Sequence, residues 1–194
     1  ICFADAGKRN PENEPKIADI ETWYKNLLLA GGPFNIQFSG GEPSLRDDLP
    51  EIIALGKSLG YSFFQLNTNG LRIARDIRYL QKLKDAGLCT VYLQFDGTND
   101  EIYQTIRGKA LFQEKQQAIE NCAIVGLGVI LVPTLVPGVN TQNIGEILRF
   151  GMDHSPTVRG VHFQPISYIG RYPTPPQDKN RFTLPEVISA IEAQ

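Results

Sequence analysis

Five short segments rich in apolar residues recur along the chain, at positions 35–39, 63–67, 89–95, 128–134 and 159–164. Between them, apolar residues return every three to four positions, as they do on the buried face of an α-helix. The strand-like segments begin roughly 30 residues apart, which is the spacing of β/α units with parallel strands and right-handed crossovers. The pattern therefore predicts an α/β fold whose parallel strands form an open sheet or a barrel.

The helical segments are bounded by capping residues and glycines. Thr183 and Glu186 form a capping box, and Asn140 or Thr141 is positioned to cap the helix that ends near His154. Apolar residues from Ile73 to Leu83 form one stripe and predict a single helix there. Helices are expected at 17–28, 49–59, 73–86, 99–108, 111–125 and 141–154, and from 184 onward.

Four of the five predicted strands combine an apolar face with a polar face. Because strand side chains alternate, one face collects Gln37 and Ser39; Gln65, Asn67 and Asn69; Tyr92, Gln94 and Asp96; and His162 and Gln164. A strand covered by helices on both faces would be almost continuously apolar. A buried amide without a partner costs about 1–3 kcal/mol, so solvent or a polar ligand is expected on this side.

These faces predict an incomplete β/α barrel, with helices outside and a polar cavity inside. The polarity rises toward the carboxyl ends of the strands, where β/α enzymes place their chemistry. The alternative is that the amides pair with one another across strands.

The turn Gly40-Gly41-Glu42-Pro43 connects the first strand to the next helix. Adjacent glycines let the backbone bend and let a ligand approach the chain closely. A carboxylate fixed beside them by Pro43 suits a cation such as a ligand's ammonium group. A tight turn with a solvated glutamate is the alternative.

Composition narrows the possible functions. The 194 residues carry a net charge of −2, without a charge run, so the sequence offers no basic surface for nucleic acid. No apolar run is long enough to cross a bilayer, and no signal-peptide pattern opens the chain. Three cysteines, Cys2, Cys89 and Cys122, favour a reducing, cytoplasmic location. Because the chain begins with Ile1, we expect one domain, 1–194, from a longer protein.

The order of these motifs resembles the radical S-adenosylmethionine (SAM) superfamily. The family's cysteine motif is Cys-x-x-x-Cys-x-x-Cys, and Cys2 resembles its third cysteine. Gly40-Gly41-Glu42-Pro43 resembles the turn after the second strand of the family's six-stranded partial barrel. The segments 67–70 and 95–97 resemble the ends of its third and fourth strands. The segments 1–7 and 132–140 resemble a subgroup that includes enzymes acting on pterin precursors and enzymes joining archaeal tetraether lipid chains.

The resemblance implies a radical SAM core domain whose first strand and first two motif cysteines precede Ile1. In that family three thiolates hold a [4Fe–4S] cluster, and its fourth iron takes the amino and carboxylate groups of SAM. Reductive cleavage of SAM then gives a 5′-deoxyadenosyl radical that abstracts hydrogen from a substrate. A chain with Cys2 alone cannot hold this cluster. An electron donor of the ferredoxin or flavodoxin type and a small-molecule, lipid or pterin-like substrate are also implied.

The resemblance also assigns site residues. It implies cluster ligation for Cys2, and methionine-ammonium binding for Ser39, Gly40, Gly41 and Glu42. It implies contact with the ribose or carboxylate of SAM for Asn67, Asn69, Gln94, Asp96 and Arg107, although Asp96 is equally suited to shaping its turn. It implies that the backbone near Pro133 and Gln164 borders the adenine.

Two other functions fit parts of the sequence. A phosphate-binding β/α-barrel lyase or aldolase would use Gly40-Gly41 as an anion cradle, although no lysine lies within a strand for a Schiff base. A non-catalytic module could keep only the SAM pocket. His162 is a candidate proton donor or acceptor, or a core histidine, and Arg171 and Tyr172 are candidates for substrate contact or loop anchoring. The sequence does not identify the substrate or the reaction outcome.

Overall fold

A computed structural model of the chain describes residues 14–168 and 177–194. Within these residues, five parallel strands form one sheet and two short parallel strands form another. The strands are β1 (Ile36–Phe38), β2 (Phe64–Thr68), β3 (Thr90–Gln94), β4 (Gly128–Val132), β5 (Thr134–Leu135), β6 (Val158–Val161) and β7 (Gln164–Pro165). The predicted α/β class and the parallel arrangement are confirmed.

The larger sheet has the order β1-β2-β3-β4-β6, and every adjacent pair is parallel. Chain order and sheet order agree, so each connection moves to the neighbouring strand in the same direction. Among the described residues, β1 and β6 are edge strands of this sheet, which makes it an incomplete barrel rather than a closed one.

Two predicted strands are divided where the backbone hydrogen-bond ladder changes. Pro133 separates β4 from β5, because proline has no N–H to donate. The predicted strand at 159–164 is likewise split into β6 and β7. The pair β5–β7 continues the line of β4 and β6, with Thr134 opposite Gln164.

Eight helices surround the described part of the sheet. They are α1 (Ile17–Leu29), α2 (Leu49–Ser58), α3 (Leu71–Arg75), α4 (Ile77–Ala86), α5 (Asp100–Arg107), α6 (Phe112–Val125), α7 (Ile144–Asp153) and α8 (Leu184–Glu192). The single helix predicted at 73–86 is therefore two. Asp76 leaves the helical conformation, with φ −130° and ψ 83°, and its carboxylate caps α4 by accepting from the Tyr79 N–H at 2.9 Å.

The predicted capping residue Asn140 has a different role. Its side chain is buried, donates to the carbonyl oxygens of Asp96 and Thr134 at 2.8 Å each, and accepts from the Val136 N–H at 2.7 Å. Helix α7 begins at Ile144 after a 3₁₀ turn at Thr141–Asn143, without a side-chain cap. Asn140 thus joins the end of β3 to the loop after β5.

The core lies between the apolar face of the sheet and the helices. Leu66, Leu93 and Leu131 come from three adjacent strands and are fully buried. Their neighbours in sequence on the opposite face, among them Asn67 and Gln94, are half-buried. The predicted alternation of an apolar and a polar face is confirmed. Within the described ranges, no helix has both the length and the apolar character needed to span a membrane.

Candidate functional site

The polar residues singled out above gather at the carboxyl edge of the sheet. The turn 39–42 follows β1, the segment 67–70 ends β2, and Gln94 to Gly97 end β3. Since parallel strands all end at the same edge, these segments lie side by side. Hydrogen bonds link the first segment to the second, and Lys115 links the second to the third.

Glu42 ties the turn after β1 to the end of β2. Its Oε1 accepts from the Ser44 N–H at 3.1 Å, the Ser44 hydroxyl at 2.6 Å and the Thr68 hydroxyl at 2.7 Å. Its Oε2 accepts from the Asn69 N–H at 2.7 Å. Oε1 is therefore saturated by the protein, while Oε2 retains acceptor capacity for a further donor.

Two glycines set the backbone of this edge. Gly40 has φ +140° and is exposed, and among the described residues no heavy atom lies within 4 Å of the position that a Cβ would take. Gly70 has φ +82°, and a Cβ there would lie 2.5 Å from Leu93 Cδ1. Gly40 thus leaves the backbone open to a ligand, whereas Gly70 permits close packing beneath the site.

Asp96 and Arg107 form a buried, two-pronged ion pair. Arg107 Nε lies 2.7 Å from Asp96 Oδ2, and Nη2 lies 2.9 Å from Oδ1. The Asp96 side chain is fully buried, and that of Arg107 is 22% exposed. Asp96 also accepts from the Thr134 N–H at 3.3 Å and from the Gln94 amide. This pairing compensates the charge of a carboxylate that has no access to water.

Lys115 is the principal residue at this edge that the sequence analysis missed. It lies on α6, is fully buried, and donates from Nζ to Asn69 O at 2.5 Å and to Gln94 Oε1 at 3.3 Å. Burial lowers the pKa of Lys115 to about 8, and the nearby Asp96 carboxylate opposes that shift. One signal was available: Lys115 begins the buried helical stripe that continues with Ala118, Ile119 and Cys122.

Tyr103 completes the buried layer beneath the site. Its ring centroid lies 5.7 Å from Lys115 Nζ, close enough for a cation–π contact. Burial, followed by the negative charge of Asp96, raises the pKa of the Tyr103 phenol well above its usual value. The tyrosine therefore stays neutral at physiological pH.

The amides share a face, but the described residues do not pair them across strands. Gln65 Nε2 donates to Asn67 Oδ1 at 2.9 Å, within the same strand. Gln94 connects Lys115 with Asp96, through its oxygen and its nitrogen respectively. These amides are thus held by bonds within a strand and by Lys115 of α6. Gln65, Asn67 and Gln94 remain half-buried.

The remaining predicted residues occupy the two ends of this edge. Ser39 and Gly41 are exposed beside Gly40. Pro133 is buried, and its carbonyl accepts from the Gln164 N–H at 2.9 Å, with Gln164 itself exposed. His162 is exposed on the polar face, with its ring centroid 6.2 Å from that of Tyr92. Cys2, Arg171 and Tyr172 lie outside the described residues.

The described cysteines do not reach the site. Cys89 is half-buried immediately before β3, at the opposite edge of the sheet. Cys122 is buried in α6, and burial raises the pKa of its thiol to about 12. Across 14–168 and 177–194, no three His, Cys, Asp or Glu side chains are grouped to hold a metal ion. These residues by themselves do not fit an iron–sulfur cluster.

A cavity of about 640 Å³ also lies at the amino edge of the sheet, among Lys57, Lys84, Cys89 and Arg159. None of the predicted site residues lines it. The described residues singled out from the sequence lie instead at the carboxyl edge, together with the charged groups Glu42, Asp96, Arg107 and Lys115.

The fold and this edge define a partial β/α barrel with a polar rim at the carboxyl ends of its strands. The particular family follows from comparison with known proteins. Residues 1–151 match the family model of the Radical SAM superfamily, and the chain belongs to that superfamily. The resemblance predicted from the sequence is confirmed.

Relatives give a finer comparison. The chain is 46% identical over 196 residues to the 7,8-dihydro-6-hydroxymethylpterin dimethyltransferase of Methanocaldococcus jannaschii, covering 100% of this chain and 38% of that protein. It is 30% identical over 159 residues to the GTP 3',8-cyclase of Chlorobaculum tepidum, covering 80% of this chain and 47% of that protein. The chain thus spans less than half the length of each.

A solved structure confirms the fold. Native anSMEcpe with bound AdoMet superimposes with a TM-score of 0.69 at 16% identity, covering 97% of this chain and 53% of that one. At this identity the likeness concerns the arrangement of strands and helices. It supports the partial barrel described above.

Proposed function

We propose that this chain is the SAM-binding core of a radical SAM enzyme. The observation that carries the proposal is the carboxyl edge, where Glu42, the exposed Gly40 backbone and the amides of β2 and β3 lie side by side. Superfamily membership makes SAM the ligand to expect there. The relatives and the solved neighbour with bound AdoMet support the same ligand.

The methionine end of SAM is proposed to bind beside Gly40. The backbone carbonyls of 39–41 would accept from its ammonium group, because no side chain of the residues that the structure describes fills the space beside Gly40. Glu42 would contribute its negative charge and the remaining acceptor capacity of Oε2, since Oε1 already accepts three hydrogen bonds. Glu42 is therefore proposed as both a ligand contact and a link to β2.

The carboxylate and ribose are proposed to lie over β2 and β3. Arg107 donates from Nε and Nη2 to Asp96, so its Nη1 is the guanidinium nitrogen that would donate to the SAM carboxylate. Asn67 and Asn69 are half-buried and would face the ribose, together with Gln94. Asp96, being fully buried and paired, would act through Arg107 rather than directly. The adenine would border the backbone at Pro133 and Gln164.

Cys2 is proposed as a cluster thiolate. When bound, a [4Fe–4S] cluster supplies the electron that cleaves SAM, and a ferredoxin or flavodoxin is the kind of donor that fits. Cys89 and Cys122 lie away from the carboxyl edge, so they are not proposed as ligands.

For the substrate, we favour a pterin-like small molecule and a methyl transfer. The 46% identity to the pterin dimethyltransferase extends over the whole chain, which supports that class over the other relatives. The rival phosphate-binding lyase is disfavoured because the Glu42 carboxylate directly follows the glycines that would cradle the anion. A SAM-binding module without catalysis differs from the enzyme in producing no 5′-deoxyadenosine.

The test is anaerobic reconstitution of the full-length protein, which includes the segment before Ile1, with iron and sulfide, followed by SAM and a strong reductant. The proposal predicts cluster absorption and formation of 5′-deoxyadenosine, both lost in Cys2→Ala and retained in Cys89→Ala. SAM binding without cleavage would support the non-catalytic module. The absence of both SAM binding and SAM cleavage would contradict the proposal.

A further inference from the structure

Lys115 is a fully buried lysine directly beneath the candidate site. Burying an ammonium group is unfavourable unless hydrogen bonds and nearby charges compensate it. Its position on α6, under the ends of β2 and β3, allows its contacts to hold both strand ends.

The first contact fixes Asn69. Lys115 Nζ donates to the Asn69 carbonyl at 2.5 Å, while the Asn69 N–H donates to Glu42 Oε2 at 2.7 Å. The backbone of this one residue is therefore held between an ammonium and a carboxylate by two charge-assisted hydrogen bonds. The side chain of Asn69 also accepts from the Leu71 N–H at 2.9 Å, which closes the turn.

The second contact orients Gln94. Its Oε1 accepts from Lys115 Nζ at 3.3 Å, and its Nε2 donates to Asp96, which is paired with Arg107. An amide has one acceptor end and one donor end, and Lys115 and Asp96 lie at the matching ends. Lys115 thereby determines which way the amide faces.

We propose that Lys115 is a positioning residue of the SAM site, which acts by fixing the 67–70 turn and the Gln94 amide in the orientation that SAM binding requires. The inference rests on the proposed function above, because it concerns the same site. Lys115 itself lies below the surface and acts through Asn69 and Gln94.

The charges around Lys115 keep it suited to this role. Asp96 and Glu42 face it with negative charge, Glu114 is adjacent on α6, and Arg107 opposes it with positive charge. Burial lowers the pKa of Lys115 to about 8, so the side chain is mainly an ammonium at pH 7. The donor that holds Asn69 is therefore the charged one.

The experiment compares Lys115→Met and Lys115→Gln with the control Lys84→Met in the reconstituted full-length protein. Methionine is an unbranched side chain one atom shorter than lysine and has no donor, and glutamine keeps a donor without the charge. Lys84 is a matched control, since its Nζ donates to the Gly126 carbonyl at 3.1 Å, away from the carboxyl edge. SAM affinity is measured by equilibrium dialysis, and backbone mobility by hydrogen-exchange mass spectrometry.

We expect Lys115→Met to weaken SAM binding about tenfold or more and to speed exchange in 67–71, with other segments unchanged. Lys115→Gln should recover part of both losses, and Lys84→Met should change neither. A purely structural lysine would instead alter exchange throughout the sheet and gain nothing from glutamine.

Wild-type affinity and unchanged exchange in Lys115→Met would overturn the proposal. Failure of both Lys115 variants to fold would also overturn it, because it would assign the lysine to global stability. If the wild-type protein does not bind SAM, the proposed function fails. Even then, faster exchange in Lys115→Met that is confined to 67–71 would support the positioning of the turn by Lys115. Unchanged exchange in 67–71 would overturn that role.

Discussion

At the scale of single residues, the candidate site depends on charges that are held by partners from other elements. Glu42 is bonded to the end of β2, Asp96 to α5, and Lys115 to the ends of β2 and β3. The alternation of polar residues along the strands was enough to predict the amide face. The burial of Lys115 was not predictable in the same way, because a lysine in a helix is normally exposed and its acceptors come from distant parts of the chain.

Glu42 provides a test at this scale. Glu42→Gln keeps the size of the side chain but leaves Thr68 and the Asn69 N–H with a neutral acceptor, so we expect a loss of about 1–2 kcal/mol in unfolding free energy. If Glu42 also supplies charge to the SAM ammonium, SAM affinity should fall about tenfold or more. Urea unfolding and equilibrium dialysis measure the two effects.

The control for that substitution is Glu51→Gln, at an exposed position on α2. It should change neither quantity. Equal behaviour of the two variants would contradict the role assigned to Glu42.

Lys115 gives a prediction about pH and stability. The pKa of Lys115 is about 8 in the folded protein and 10.5 for an unperturbed lysine, so between these two pH values the unfolded chain binds more protons. Stability of the wild type relative to Lys115→Met should therefore rise as pH increases above 8, by about 1–3 kcal/mol over the full range. Urea unfolding of both proteins at pH 7 and pH 9.5 tests this.

The comparison with Lys115→Met matters because other groups titrate in the opposite direction. The raised pKa of the buried Cys122 thiol, about 12, lowers stability as pH rises above the value of a free thiol. That effect is common to both proteins and cancels in the difference. A difference that stays constant with pH would contradict the burial of a charged Lys115.

At the scale of elements, sequence signals located the strands and helices but not all of their breaks. Asp76 divides one predicted helix because its carboxylate can cap the second half, and Pro133 divides one predicted strand because it lacks an N–H. The amino-acid types permit these breaks without requiring them. Asn140, predicted as a helix cap, instead bonds to backbone groups that only the folded sheet brings near it.

Gly70 tests the packing between elements. In Gly70→Ala the new Cβ would meet Leu93 Cδ1 at 2.5 Å, and the backbone has φ +82°. We expect a loss of about 2–4 kcal/mol, combining backbone strain with overpacking. Thermal or urea unfolding measures it.

Gly108 is the matched control for this change. It has φ +75°, and no heavy atom of residues 14–168 or 177–194 lies within 4 Å of its Cβ position, so Gly108→Ala retains only the backbone strain, about 1 kcal/mol. If both variants lose the same stability, the contact with Leu93 has no measurable effect, contrary to this account.

At the scale of the whole molecule, the spacing of the apolar segments predicted a parallel β/α sheet, and the resemblance of its motifs predicted the superfamily. Both are confirmed. The reaction is not contained in the fold, since relatives with this core include a pterin dimethyltransferase and a GTP 3',8-cyclase. The substrate therefore depends on side chains and segments that the strand pattern does not specify.

We propose that SAM binds at the carboxyl edge, and hydrogen-exchange mass spectrometry with and without SAM reports on that edge segment by segment. In the reconstituted full-length protein, we expect SAM to slow exchange in 39–42, 67–70 and 94–97. The segments around Lys57 and Cys89, at the amino edge, should remain unchanged. Protection confined to that opposite edge, with none at 39–42 or 67–70, would contradict it.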